Sequence, residues 1–257
     1  GYAVYEGPAA GDTIEIEGIQ PWSHAAPVLY HAVLTLRDAD GVLQEVVPYD
    51  IGFRRFEMIN GVMCLNGERV VFNGVNRHEW NADRGRAIGA DDMHAAMAVF
   101  KKNNINAVRT CHYPDQSLWY DLCDRNGIYM IDETNLESHG SWQKLGAVEP
   151  SWNVPGSLPE WKDCVVDRAR SMFERDKNHA AVLIWSCGNE SYAGEDILAM
   201  SQFFHDHDPG RLVHYEGVFH CRAFDAISDK GTGQPELYSF RARDLPLREA
   251  LGLLAKH

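Results

Sequence analysis

Polar and ionisable residues follow five short apolar segments of the chain, where they could act as acids, bases or metal ligands. The fourth segment, AVLIWSCGNES (181–191), runs directly into Asn189 and Glu190. A carboxyl at the end of a buried strand is partly removed from water, which raises its pKa and suits it to general acid catalysis. The other segments end on a further set of candidates: His78, Glu79, Arg109, Cys111, His112, Glu133, Glu137, His139, Tyr215 and Glu216.

The elements that must position these residues alternate between two patterns. Apolar, strand-like segments cover 69–76, 105–110, 128–135, 181–189 and 211–217, and helical patterns cover 91–104, 116–127, 161–179 and 194–209. Because the strands are apolar along their length, the order predicts a parallel sheet covered by helices. No glycine-rich phosphate-binding motif follows any strand, which weakens a nucleotide-binding reading. In an eight-fold β/α barrel, all the strand ends would gather at one rim.

The first part of the chain has a shorter period, which is typical of antiparallel strands. Strands are predicted at 13–18, 28–36, 43–50 and 51–59, with turn signals at 6–12 and 38–41. These are too few strands for a complete sandwich. Further along, Asp91 or Asp92 is predicted to cap the first helix, and Gly127 to end the second in a left-handed conformation.

The composition of the chain limits the classes of molecule that it can bind. The 257 residues carry a formal net charge of −13, which argues against nucleic acid, because phosphate binding needs a basic face. No apolar run approaches the length of a membrane span, and no signal peptide is visible, so a cytoplasmic location is expected. The six cysteines contain no CxxC pair, so we expect free thiols rather than a zinc site built from cysteines.

Four motifs carry a family resemblance: GVNRHEW (74–80), AVRTCHYP (107–114), IDETNLESHG (131–140) and IWSCGNES (184–191). Together they resemble the β-galactosidases of glycoside hydrolase family 2, and the similarity covers about residues 15–228. The family's β-glucuronidases share the asparagine–glutamate pair, but Glu137-Ser138-His139 points to the galactosidase branch.

The resemblance implies a fold of two parts. Residues 1–56 would be part of an all-β, immunoglobulin-like sandwich. Residues 57–228 would be the first part of an α/β catalytic domain of (β/α)8 TIM-barrel type, incomplete at about five strand–helix units. Residues 229–257 match nothing in the family pattern and form an unassigned, divergent tail.

The resemblance also implies roles for individual residues. Glu190 is expected to be the general acid/base of a retaining glycosidase, and Asn189 to hydrogen-bond the sugar 2-hydroxyl. His78 and His112 are expected to contact galactose or to stabilise the transition state. Arg109 is expected to pair with carboxylates at the barrel end rather than with substrate.

A metal site is implied as well. Glu137, His139 and Glu190 resemble the family's magnesium ligands, and carboxylates with an imidazole suit a hard cation such as Mg²⁺ or Mn²⁺. The sequence 205–208, HDHD, has metal-binding residue types, but it lies past a helix and is expected to be a solvated terminus.

The expected nucleophile of the family is absent from this chain. It should lie at the seventh strand, and neither Glu216 nor Glu249 has the right place or neighbours. Two hypotheses therefore stay open. The chain is a segment of a retaining β-galactosidase that cleaves terminal β-D-galactosyl residues of lactose-like substrates and is inactive or severely impaired alone. Alternatively, it is a non-catalytic sugar- or metal-binding barrel fragment. An exposed barrel edge predicts association with other copies unless the tail covers it.

Overall fold

The structure, a computed structural model, describes residues 5–7, 13–138, 154–191 and 194–215. Ten strands and four helices lie in these ranges. The strands are β1 Tyr30–Arg37, β2 Leu43–Ile51, β3 Phe56–Ile59, β4 Val62–Leu65, β5 Glu68–Arg69, β6 Gly74–Arg77, β7 Ala107–Thr110, β8 Tyr129–Glu133, β9 Val182–Ser186 and β10 Leu212–His214. The helices are α1 Ala90–Lys102, α2 Ser117–Asn126, α3 Pro159–Asp176 and α4 Glu195–His207. Predictions for His139, Glu216, Glu249 and the tail lie outside the described residues.

Five strands form one parallel sheet in the order β10-β9-β8-β7-β6. Strands β7, β8 and β9 are buried along their whole length, as their continuous apolar sequences predict. The parallel α/β sheet is therefore confirmed. Because every strand runs in the same direction, the five carboxyl ends lie at one edge of the sheet.

Helices α1 and α3 bury apolar side chains that recur at helical spacing. Helix α1 buries Met93, Met97 and Phe100, and α3 buries its apolar positions at the same helical period. The prediction that Asp91 or Asp92 is the N-cap residue of α1 was wrong. Gly89 is the N-cap residue, and Asp92, three residues later, accepts a hydrogen bond from the Gly89 amide at 2.8 Å. Gly127 does end α2 in the left-handed region, with φ of 68°.

The N-terminal region is a single hairpin within the described residues. Strands β1 and β2 pair antiparallel, but the strand predicted at 13–18 was wrong, because residues 13–16 have no strand pairing and a turn follows. Exposed apolar side chains occur on both strands, which is what a fragment of a sandwich would show: Val33, Leu34, Leu36, Leu43, Val46 and Val47.

A small antiparallel meander, β3-β4-β5, joins the hairpin to the sheet, and the sequence analysis missed two of its strands. Its turns are Asn60-Gly61 and Asn66-Gly67, and all four residues have positive φ. Asn-Gly is the strongest short hairpin signal, because both central residues of a type I′ turn need that conformation. The predicted strand at 69–76 was accordingly too long at its start.

The segments that precede and follow the hairpin are both fixed to the amino-terminal side of the sheet. The Trp22 indole is fully buried and donates to the Asp124 carbonyl at 2.7 Å. The Arg54 guanidinium donates to the carbonyls of Ala180 at 3.0 Å and Val182 at 2.6 Å. These contacts hold the end of the sheet opposite the candidate residues, so the carboxyl-terminal edge stays accessible.

Candidate functional site

An ion pair between neighbouring strands lies at the centre of the carboxyl-terminal edge. Arg109 on β7 donates from Nε to Oε2 of Glu133 at 2.6 Å and from Nη2 to Oε1 at 2.9 Å. Both side chains are buried. The expectation that Arg109 pairs with a carboxylate is confirmed. Such a forked pair fixes the planes of both groups, so it can serve as a rigid base for the surrounding side chains.

Glu133 is held as a carboxylate. Burial opposes its ionisation, but hydrogen bonds from His112 and Ser186 and the charge of Arg109 together bring its pKa below the ordinary value. Ser186 donates from Oγ to Oε2 at 2.6 Å, and the His112 Nδ1 lies 2.8 Å from Oε1. The sequence analysis placed Glu133 at a strand end but gave it no role.

Asn189 is positioned from two sides. The Arg109 Nη2 donates to its Oδ1 at 2.9 Å, and its Nδ2 donates to Oε1 of Glu137 at 2.9 Å. The backbone N–H of Asn189 also donates to the Leu136 carbonyl at 2.8 Å. The orientation of the Asn189 amide group is therefore set by its neighbours, with its NH₂ directed to a carboxylate.

Glu137 and Glu190 lie at neighbouring strand ends. Glu137 forms an isolated parallel bridge with Asn189, and Glu190 is the next residue along the chain. Glu137 is exposed and Glu190 is half-buried. Two carboxylates in this arrangement fit the oxygen preference of a hard divalent cation. The third predicted ligand, His139, lies outside the described residues.

His78 and His112 face each other across the ends of β6 and β7. Their ring centroids are 5.4 Å apart in an edge-to-face arrangement, and the His78 Nδ1 lies 3.3 Å from the Tyr113 hydroxyl. Burial and the neighbouring charges of His112 and Arg86 lower the pKa of His78. The neutral imidazole of His78 is thus favoured, and it can donate one hydrogen bond from one ring nitrogen and accept one at the other.

A buried polar chain extends behind Glu133. The His214 Nδ1, on β10, lies 3.1 Å from the Ser186 Oγ, which in turn donates to Glu133. Burial and the charge of Arg109 lower the pKa of His214 to about 4, although Glu133 acts in the opposite direction. Ser186 and His214 were not among the sequence candidates. Their only signal was polarity at the end of an otherwise apolar strand.

The segment after Glu190 is tied to the fifth strand. The Ser191 amide donates to the Tyr215 hydroxyl at 2.9 Å, and this hydroxyl donates to the Ser191 carbonyl at 2.6 Å. The Ser191 hydroxyl also accepts a hydrogen bond from the Ser138 amide at 2.8 Å. The loop that carries Glu190 is consequently braced against both neighbouring strand ends.

The HDHD sequence at 205–208 has structural contacts instead of a metal-like arrangement. The His207 Nδ1 contacts the Phe203 carbonyl at 2.8 Å, and Asp208 pairs with Arg211 and accepts from the Trp185 indole. Residues 205–207 belong to the last turn of α4, so the prediction that this sequence lies past a helix was wrong for them. Asp206 and His207 are exposed, as in a solvated terminus, whereas His205 and Asp208 are half-buried. The five cysteines in the described ranges form no disulfide. In the same ranges, no helix is both long and apolar enough to cross a membrane.

The chain was compared with known families. The model described as "Glycosyl hydrolases family 2, TIM barrel domain" matches residues 56–238, and the model "Glycosyl hydrolases family 2" matches residues 3–54. The first match alone covers most of the chain, and it confirms the prediction of a barrel that is incomplete within the described residues.

Curated relatives give the same family. The "Beta-galactosidase" of Halalkalibacterium halodurans is 64% identical over 81% of this chain and 20% of its own length. That of Clostridium acetobutylicum is 62% identical over 82% of this chain and 24% of its own. The "Beta-galactosidase large subunit" of Lactobacillus acidophilus is 56% identical over 83% of this chain and 34% of its own. The chain thus spans between about a fifth and a third of these relatives.

Solved structures show the same fold at lower identity. A β-D-glucuronidase from Dictyoglomus thermophilum superposes with a TM-score of 0.70 at 24% identity, over 78% of this chain and 35% of that one. A GH2 β-galacturonidase from Eisenbergiella tayi, bound to galacturonate, gives a TM-score of 0.68 at 26% identity, over 79% and 35%.

Proposed function

The chain belongs to family 2 of the glycosyl hydrolases, and we propose that it forms part of a retaining β-galactosidase. The whole enzyme would cleave terminal β-D-galactosyl residues, as in lactose-like substrates. The observation that carries the proposal is the placement of Asn189 and Glu190 at the end of β9, beside Glu137, in a chain 64% identical to a protein named β-galactosidase.

Glu190 is the general acid/base in this proposal. A retaining glycosidase needs one carboxylic acid that protonates the leaving oxygen and later, as a carboxylate, deprotonates the attacking water. Glu190 is half-buried, and the hydrogen bond between Ser191 and Tyr215 holds the segment that carries it, so the backbone at Glu190 is fixed in place. We assign the second carboxylate, the nucleophile, to none of the residues in this chain, and we expect it on a later strand of the barrel.

Asn189, His78 and His112 bind the galactosyl group in this proposal. The Asn189 amide is oriented by Arg109 and Glu137, so its contact with a sugar hydroxyl needs no reorganisation when charge develops. The two histidines follow β6 and β7 at the same edge of the sheet and offer donors and acceptors for the remaining hydroxyls.

Glu137 and Glu190, together with His139, would hold Mg²⁺ or Mn²⁺. Carboxylate oxygens at neighbouring strand ends support this donor set. When bound, such an ion supplies positive charge next to the acid/base, which lowers the proton affinity of nearby carboxylates. The proposed partners are thus a β-galactoside and a divalent cation. Association with further protein is part of the proposal, since several relatives are named large subunits.

The test uses a complete enzyme that carries this segment. In single-turnover assays, Glu190→Gln should slow glycosylation by about 10²–10⁴-fold for a substrate with a poor leaving group. An activated aryl galactoside should be affected far less, because its leaving group departs without an acid. Glu195→Gln, an exposed position at the start of α4, is the matched control and should change neither rate. Equal losses for both substrates would contradict the acid role.

The chain by itself provides a second test. Purified residues 1–257 should not hydrolyse an aryl β-galactoside at an enzymatic rate with Mg²⁺ present, because no glycosyl-enzyme can form without the nucleophile. Turnover within about tenfold of a full-length relative, abolished by Glu190→Ala, would show that a nucleophile was overlooked.

A further inference from the structure

We propose that Cys111, His78 and His112 form a binding site for Zn²⁺ or a similar borderline-soft divalent ion at the rim of the sheet. One ligand atom from each of these residues lies within 4.8 Å of the ligand atoms of the other two. The site is separate from the carboxylates proposed to hold Mg²⁺, and its existence does not depend on the proposed function.

The donor set selects the ion. A thiolate and two imidazoles are typical zinc ligands, whereas Mg²⁺ prefers oxygen. With Zn–N distances of about 2.0–2.1 Å and a Zn–S distance of about 2.3 Å, tetrahedral donors lie roughly 3.3–3.6 Å apart. The ligand atoms, which lie up to 4.8 Å apart, must therefore approach one another by as much as about 1.2–1.5 Å. His78 is exposed, so rotation of its side chain can supply this movement.

The surroundings of His112 resemble those of a metal-bound histidine. Its Nδ1 lies 2.8 Å from Oε1 of Glu133, and Glu133 is itself fixed by Arg109 and Ser186. When Nδ1–H donates to this carboxylate, Nε2 carries the lone pair that an ion needs. A carboxylate behind a ligating histidine is the common arrangement in zinc sites, because it sets the tautomer and raises the basicity of the ring.

The second imidazole has a comparable support. The His78 Nδ1 lies 3.3 Å from the Tyr113 hydroxyl oxygen, which accepts a hydrogen bond from the Glu79 amide at 3.1 Å. This oxygen can accept a second bond from Nδ1–H, which directs the lone pair of His78 to Nε2. Both histidines can thus present the same ring nitrogen to one ion.

Access and charge also permit an ion. Cys111 is buried and forms the floor, His112 is half-buried, and His78 is exposed, so an ion approaches from solvent. Arg109 and Arg86 are the nearby cations, but Arg109 is neutralised by its ion pair with Glu133, and Glu137 adds negative charge on the side of His78. Burial raises the pKa of the Cys111 thiol to about 11, so the free site keeps this proton. On binding, the ion displaces the proton to solvent and the sulfur forms the bond to the ion.

Cobalt spectroscopy on the purified 257-residue chain tests the site. Co²⁺ takes zinc geometry, and thiolate ligation gives a near-ultraviolet charge-transfer band. We expect this band together with the visible bands of a tetrahedral ion, and we expect Zn²⁺ to displace both. Cys111→Ser should abolish the charge-transfer band, whereas Cys164→Ser, an exposed thiol on α3, should leave it unchanged.

His78→Gln provides a second criterion that does not depend on a core position, because this side chain is exposed. It should weaken Zn²⁺ binding by at least about tenfold, with the near-ultraviolet circular dichroism of the chain unchanged. Glutamine at the exposed His94 of α1 is its matched control and should have no effect. A charge-transfer band that persists in Cys111→Ser, or a Zn²⁺ affinity that His78→Gln does not change, would overturn the proposal.

Discussion

Arg109 and Glu133 form a forked, buried ion pair that joins the carboxyl ends of β7 and β8, with donor–acceptor distances of 2.6 and 2.9 Å. Three side chains with a proposed role contact this pair or lie beyond it. His112 and Asn189 touch it directly, and Glu137 is reached through Asn189. The pair consequently supports the side chains of the proposed site.

The first prediction is that Arg109→Met destabilises the fold by about 3–5 kcal/mol, because it leaves the buried Glu133 carboxylate without its cation. Urea unfolding followed by tryptophan fluorescence measures this loss. Arg84→Met removes a partly exposed pair with Asp92 and should cost less than about 1 kcal/mol. Adding Glu133→Gln to Arg109→Met should recover part of the stability. Equal losses in the two single variants would contradict the prediction.

The second prediction concerns the contact between Gly127 and the segment before β1. Gly127 has φ of +68°, and a Cβ there would lie 2.7 Å from the His24 carbonyl oxygen. Gly127→Ala should therefore be more destabilising than Gly61→Ala, which has φ of +79° and no atom within 4 Å. The control isolates the backbone cost of about 1 kcal/mol. Thermal unfolding of both variants measures the difference, and equal values would mean that His24 moves aside.

The parallel sheet could be predicted because its strands are apolar on both faces and alternate with amphipathic helices. This pattern is local, so it can be recognised in the sequence without any knowledge of tertiary contacts. The strand predicted at 13–18 failed because alternation alone does not provide a pairing partner. Conversely, β4 and β5 are short, and in the sequence only the Asn60-Gly61 and Asn66-Gly67 turns indicate them.

The site was predictable only in part. The family motifs predicted roles for Asn189 and Glu190, and in the structure the Asn189 amide donates to Glu137. The motifs did not reveal that Glu133 organises the edge, because its partners Arg109 and Ser186 are 24 and 53 residues away in sequence. Such pairing depends on which strands are neighbours in the sheet, and periodicity does not encode that order.

The third prediction is a pH dependence from His214, whose pKa falls from 6.5 to about 4 on folding because the ring is buried. Between these values the unfolded chain binds a proton that the folded chain does not. His214 therefore has no effect on the free energy of unfolding above about pH 6.5. As the pH drops to about 4, the proton bound by the unfolded chain lowers this free energy by about 3 kcal/mol.

His214→Asn removes this titration, so its free energy of unfolding should fall less steeply than that of the original chain between pH 6.5 and 4. Urea unfolding at several pH values gives both curves. The same substitution at the exposed His94 serves as the control and should leave the slope unchanged. Parallel curves for His214→Asn and the original chain would refute the assignment.

The last prediction links the zinc site to the proposed function. His78 and His112 are proposed both as sugar contacts and as zinc ligands, so one Zn²⁺ ion and one galactosyl group should exclude each other. In a complete enzyme that carries this segment, Zn²⁺ should inhibit competitively with substrate, and Cys111→Ser should raise the inhibition constant by at least about tenfold. Steady-state kinetics at fixed Mg²⁺ measures both.

If cobalt spectra show the site but Zn²⁺ does not compete, the sugar-binding roles of the histidines are wrong and the metal site stands. Inhibition that Cys111→Ser leaves unchanged would instead place the inhibitory ion elsewhere, such as on the carboxylates of Glu137 and Glu190.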